Sequence, residues 1–262
     1  MKPRLVGDKD RLILHEDVTR LLAFLDKAAK TGQPTPDYVA RKRKELGPDI
    51  LGRKSSWPEF WSQSRMVIRL LLQSGLRCRE LARLQVRDCD IRSRPHRLLV
   101  RAGKKRRADE VDEVLIPSAL AAELETWIAE HALEPSDPVI SNRRGTQCNR
   151  RWIYELAKAP MRQIGLNPKF ATHHCRHRFA TSLMQQTDGD LLFVQKQLRH
   201  RSLQPTSAYL HMADFEGATM EAVDRMGLDQ APAPGRYKKR SKHRNLAIQM
   251  QLEEDRRGHR RR

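Results

Sequence analysis

The chain has 262 residues, room for one large domain or two small ones, and 39% of them are hydrophobic, enough for a core. Lys and Arg number 51 against 32 Asp and Glu, a formal charge of +19, which makes a polyanion, and first among polyanions a nucleic acid, the expected partner. The opening MKPRLVGDKDR lacks the apolar segment of a secretory signal, no run of 18 apolar residues could span a membrane, and the cysteines at 78, 89, 148 and 175 form no CxxC pair, so reduced thiols are expected in place of a disulfide framework or zinc ribbon.

Residues 9–30 are expected to form a first helix, because Leu12, Ile13, Val18, Leu21, Leu22 and Leu25 roughly follow helical spacing. Residues 31–58, rich in Gly and Pro, are read as a linker or insertion. A strongly apolar helix is expected over 59–74, with Gly75 as its C′ residue and a second helix, RELARL, close behind. The one strand-like region is Arg97–Arg101 with Val114–Ile116, a β-hairpin around the basic turn GKKRRADE. Ser118 should cap a helix from Ala119 to His131, a further helix should cover Asn149 to Gly165, and Thr172 should cap the helix HHCRHRFATSLMQQ. Asp190 should cap LLFVQKQL, Pro205 should open a short helix carrying Tyr209, and 214–226 should be one more amphipathic helix. After the linker APAPG at 231–235 comes a basic tail: 11 basic and 3 acidic residues in 236–262 leave it +8 and the remainder of the chain +11. The tail is expected to be disordered, to contact phosphates or to pack on a neighbouring protomer.

His173, Arg176 and His177 occupy positions i, i+3 and i+4 and so share one helix face in its first turns. Free N–H groups and the helix dipole favour an anion there, and two imidazoles with a guanidinium make a phosphate cradle. A solvated basic face is the alternative, as is a metal site with Cys175, although Cys175 points to a different side from His173 and His177. Arg77 follows a glycine helix terminus at the junction of two apolar helices, a setting able to hold it rigidly toward a cleft. Taken singly, Lys104, Lys105, His200 and Tyr209 are uninformative.

Order and spacing change this. Gly75-Leu76-Arg77-Cys78-Arg79-Glu80-Leu81 matches a GLRxxEL box, Gly103-Lys104-Lys105 a GK-rich hairpin turn, and His173-His174-Cys175-Arg176-His177 an HxxRH box. Leu198-Arg199-His200-Arg201-Ser202 matches LGHxS except that Arg199 stands in place of the glycine, and Tyr209 follows His200 by nine residues. On these boxes the chain resembles the phage integrases, or tyrosine recombinases, over about residues 9–215.

The resemblance implies the tyrosine-recombinase catalytic fold: α+β, mostly helical, with a small antiparallel hairpin. It implies a catalytic domain over 1–230, with no separate N-terminal DNA-clamping domain, followed by the tail at 231–262. It implies cleavage and rejoining of double-stranded DNA through a 3′-phosphotyrosine on Tyr209. Arg77 and Arg176 would clamp the phosphate, His200 would donate to it, Lys104 would be the general acid and His173 would assist proton transfer. Arg77, Lys104, Lys105, Arg106, Arg176 and His200 would contact DNA. No cofactor or metal is implied. The implied assembly is a homotetramer on two DNA sites, with an accessory recombinase or DNA-bending protein as a further partner, in a cytoplasmic, nucleoid-associated setting. A type IB topoisomerase or telomere resolvase would share this chemistry, a silent DNA-binding relative would keep only the fold, and a zinc module would use the HHCRH cluster instead.

Overall fold

The computed structural model describes residues 12–33, 57–101, 111–142, 144–187, 189–200, 202 and 206. The centre of the molecule is set by a helix whose second half has no exposed face. From Met66 to Ser74 every residue of α2 (Trp57–Ser74) is buried, so neighbours must cover it on all sides. They are α1 (His15–Thr31), α4 (Ser118–Glu130), α5 (Arg150–Gln163) and α6 (Thr172–Gln186). Phe24 of α1 meets Trp61 edge-on at 5.2 Å, and Phe60 meets the same indole at 5.0 Å. Arg69, the charged member of the buried run, is matched by Glu123 of α4 at 2.7 Å.

Helix α2 stops at Gly75, which adopts φ 59°, a conformation that costs glycine little. A Cβ there would lie 2.5 Å from the Phe179 ring of α6, so the glycine also permits the close approach of the two helices. A four-residue helix, α3 (Cys78–Leu81), follows, shorter than the RELARL segment suggested. Its exit tightens into three-residue turns, Arg83 N–H to Glu80 O and Leu84 N–H to Leu81 O. The chain then passes through a 3₁₀ turn at Val86–Asp88 into the sheet.

The sheet is antiparallel, in the order β1 (Cys89–Asp90), β2 (Arg97–Arg101), β3 (Val111–Leu115). Strand β2 is as expected, whereas β3 begins earlier than Val114. Register explains the difference: Leu98 faces Val114 and Leu99 faces Glu113, so alternate residues turn to solvent and the acidic stretch can be strand. Arg97 on β2 donates to Glu113 across the pair at 3.1 Å. Strand β1, two residues long, carried no periodic signal.

Helix α1 starts at His15 instead of 9, with Ile13 buried just ahead of it. Pro117 and Ala171 occupy the N-cap positions expected for Ser118 and Thr172. The Thr172 hydroxyl instead accepts from the Cys78 thiol at 3.0 Å. Asn149 caps α5, and Asp190 caps α7 (Leu191–Leu198), accepting from Phe193 N–H at 2.9 Å. The four cysteines are free thiols. Among the described residues no helix is long and apolar enough to cross a membrane. The segment 34–56, Pro205, the helix expected at 214–226 and the tail lie outside the described residues.

Candidate active site

Three stretches of chain meet at one place: the α2–α3 junction with Arg77, the first turns of α6 with His173, Arg176 and His177, and the end of α7 with His200. Arg176 ties them together. Its Nη1 donates to the Gly75 carbonyl and its Nη2 to the Leu198 carbonyl, in both cases over very short distances. A planar guanidinium with diverging N–H groups can hold two carbonyls from different helix ends, which an ammonium cannot do in a fixed plane. Gly75 lies two residues before Arg77 and Leu198 two before His200, so both candidates are held near the Arg176 guanidinium.

Arg77 occupies the N-cap position of α3. Its backbone N–H donates to Glu80 Oε2 at 2.7 Å and its Nη1 to Glu80 Oε1 at 2.7 Å. Its side chain keeps 47% of its surface exposed, so the guanidinium can still reach a ligand. Burial would raise the Glu80 carboxyl, but Arg199, the Arg77 N–H and the Arg77 charge outweigh it and hold the group below its ordinary range.

Where the pattern has glycine before His200 this chain has Arg199, and the backbone keeps the left-handed conformation that suits glycine. Arg199 is the left-handed C-cap of α7, at φ 54°. Its side chain is 2% exposed and turns inward to Glu80 Oε2 at 2.7 Å.

His200 hydrogen-bonds through Nδ1 to the Thr206 hydroxyl at 2.8 Å, and its carbonyl accepts from Gln195. Burial, then Arg176, Arg77, Arg199 and His177, push the ring down to about 4. The neighbourhood is therefore strongly cationic before any ligand arrives, which suits it to an anion.

The other three histidines also shift downward. His173 does so through burial and then Lys158; His177 through burial, His173 and Arg176. His174 falls to about 4 for the same reason, burial first and its two histidine neighbours next. Its Nδ1 accepts the Ala171 N–H at 3.1 Å, using one of the free donors of the helix start. The rings of His173 and His177 lie 6.0 Å apart, on one face as the i, i+4 spacing predicts. Cys175 is fully buried and its thiol is pushed up to about 12, so it keeps its proton and is a poor metal ligand. Among the described residues no group of His, Cys, Asp or Glu is arranged to hold a metal ion.

Lys158 of α5 is buried, with Nζ donating to the Pro168 carbonyl at 2.6 Å and to that of Phe170. It fixes the turn that launches α6. Glu80, Arg199 and Lys158 were not among the candidates drawn from the sequence. Glu80 stood inside the first box, and Arg199 was visible as a departure from the pattern. Lys158 had no signal beyond being one lysine among many. Lys104, Lys105, Arg106 and Tyr209 lie outside the described residues. The strands flanking 102–110 are described, and β3 is docked on α7 through Leu115 N–H to Gln197 Oε1 at 3.1 Å.

Residues 60–216 match the phage integrase family, and the chain belongs to it. Tyrosine recombinase XerC of Actinobacillus pleuropneumoniae serotype 7 is 34% identical over 152 residues, covering 57% of this chain and 47% of that protein. Tyrosine recombinase XerH of Helicobacter pylori is 29% identical over 184 residues, 69% of this chain and 49% of that one. The chain thus spans about half the length of the curated relatives it matches. XerH site-specific recombinase bound to palindromic difH substrate, in its post-cleavage complex, aligns with a TM-score of 0.56 at 22% identity, over 79% of this chain and 52% of that chain. The fold is that of a tyrosine-recombinase catalytic domain.

Proposed function

We propose that this chain cuts and rejoins double-stranded DNA at specific sites through a covalent 3′-phosphotyrosine at Tyr209. The observation that carries the reading is the guanidinium of Arg176 bonded to both the Gly75 and the Leu198 carbonyls, which sets Arg77, Arg176 and His200 around one cationic point. Family membership and the DNA-bound XerH recombinase of similar fold support it.

Arg77 and Arg176 take the two non-bridging oxygens of the scissile phosphate and stabilise the charge of the pentacoordinate transition state. His200 adds a third hydrogen bond. Nδ1 of His200 is engaged by the Thr206 hydroxyl, which leaves Nε2 as the ring nitrogen that donates to the phosphate in this scheme. Neutral His173 assists removal of the Tyr209 proton, and Lys104 donates a proton to the departing 5′ oxygen. One P–O bond forms to Tyr209 and one breaks to O5′, so the ester is conserved and rejoining needs no ATP. The two arginines supply the positive charge, and the scheme calls for no metal or cofactor. Exchange of strands between two duplexes requires two cuts in each, hence four protomers, with an accessory recombinase or DNA-bending protein as a further partner.

The test uses the full chain and a pool of nicked duplexes with randomised cores, from which the 5′ fragment escapes after cleavage. A detergent-resistant adduct on the 3′ phosphate is expected, absent in Tyr209→Phe although that variant still binds DNA. No adduct with any member of the pool, or an adduct that survives Tyr209→Phe, sinks the proposal. Relaxation of any supercoiled plasmid without recombinants would assign the same chemistry to a topoisomerase instead.

A further inference from the structure

We propose that Arg199 is a positioning residue for the phosphate clamp, a buried guanidinium that holds Arg77 and Arg176 in register with each other; the role in catalysis rests on the strand-transfer reading above. The position is the one where the family pattern has glycine. Backbone geometry explains the glycine: the residue is left-handed, at φ 54°, where side chains other than glycine's are strained. An arginine that did nothing would be a poor choice here.

Its contacts account for it. Nη1 donates to the Gln197 carbonyl at 2.7 Å, and Nη2 donates to Glu80 Oε2 at 2.7 Å and to the Gly75 carbonyl at 3.3 Å. Each of the last two acceptors also serves one of the candidate clamp residues. Glu80 holds Arg77 by its side chain and its backbone N–H. The Gly75 carbonyl receives Nη1 of Arg176. One guanidinium therefore touches the partner of Arg77 and the partner of Arg176. At 2% exposure it cannot itself reach DNA, so it acts through them.

The charge bookkeeping gives the same answer. Glu80 is a carboxylate with two arginines on it. Without Arg199 its full attraction would fall on Arg77 and hold that guanidinium against the protein instead of the phosphate. With Arg199 on Oε2, part of that charge is neutralised from behind and the carboxylate is fixed in place. Lysine offers a single point in place of a planar fork and cannot make the three bonds together.

The experiment compares wild type, Arg199→Gly and Arg199→Lys for adduct formation on pre-bound nicked DNA, for DNA affinity and for thermal unfolding. Glycine is at ease in this backbone conformation, so Arg199→Gly should fold. The cleavage rate on bound DNA should fall about ten- to a hundredfold with affinity changed less than about threefold, and Arg199→Lys should not restore it. A glycine variant that cleaves at the wild-type rate overturns the proposal. So does one in which rate and affinity fall together, because Arg199 would then be an ordinary binding or folding residue. A second readout needs no DNA: the guanidinium N–H resonances of Arg176 in the free protein should shift or broaden in Arg199→Gly. If wild type forms no adduct, the strand-transfer reading fails, and the Arg176 resonances still decide: unchanged signals overturn the positioning role, shifted signals uphold it.

Discussion

Burial and neighbouring positive groups disfavour protonation of four histidines at and beside the candidate site, and that has a measurable cost in acid. His174 and His200 have folded-state values of about 4 against an ordinary 6.5. Between those values the unfolded chain binds protons that the folded chain refuses. Folding stability is therefore full above about pH 6.5 and falls as the pH drops toward 4. The loss is up to about 2 kcal/mol per histidine between pH 7 and pH 5. Urea midpoints across this range should show it, and His174→Asn, which keeps an acceptor for the Ala171 N–H, should flatten the curve. A midpoint that is constant from pH 7 to pH 5 in the parent protein would contradict these shifts. At the same scale, a shared face was legible where the spacing lies within one helix, as for His173 and His177. Arg199 and Glu80 were not, because they meet across 119 residues and no periodicity reports a contact of that range.

Among the elements, the α2–α6 contact at Gly75 leaves little room for change. Gly75→Ala combines a left-handed backbone with a methyl aimed at the Phe179 ring 2.5 Å away. It should cost about 2–4 kcal/mol, read as a lower denaturant midpoint. Adding Phe179→Leu should relieve the collision and leave the backbone part, so the double variant should be less destabilised than the two single effects combined. Additive losses would mean that the ring moves aside freely. The elements themselves were largely legible. Helix α7 and strand β2 fall where their apolar patterns put them, and Asp190 caps as its type suggests. The misplaced caps have local causes. Pro117 already stands in extended conformation with its carbonyl accepting from Ala121, which makes Ser118 the first helical residue. The Thr172 hydroxyl is engaged by Cys78 from another element. Strand β3 was read short because its outward half is acidic and looks like turn until its partner's register is known.

For the molecule as a whole the relevant quantity is charge. On the proposed function a chain of +19 releases counterions when it engages DNA, so log affinity should fall linearly with log salt, with a slope of roughly 0.9 per phosphate neutralised. Removing residues 231–262 takes away +8 and should flatten that slope alike on every DNA sequence, while cleavage of DNA already bound changes little. An unaltered slope would show that the tail does not lie on the duplex. Arg176 carries a different consequence at this scale. The carbonyls it grips are 101 residues behind it and 22 residues ahead. During synthesis, Gly75 and Arg77 leave the ribosome long before there is anything to set them against, and Leu198 is the last of the three parts to emerge. A chain that stops short of Leu198 carries Arg77 and Arg176 without the third part that holds them together. On the proposed function, the phosphate clamp is thus completed late and all at once, when the last of its three parts is packed against the other two.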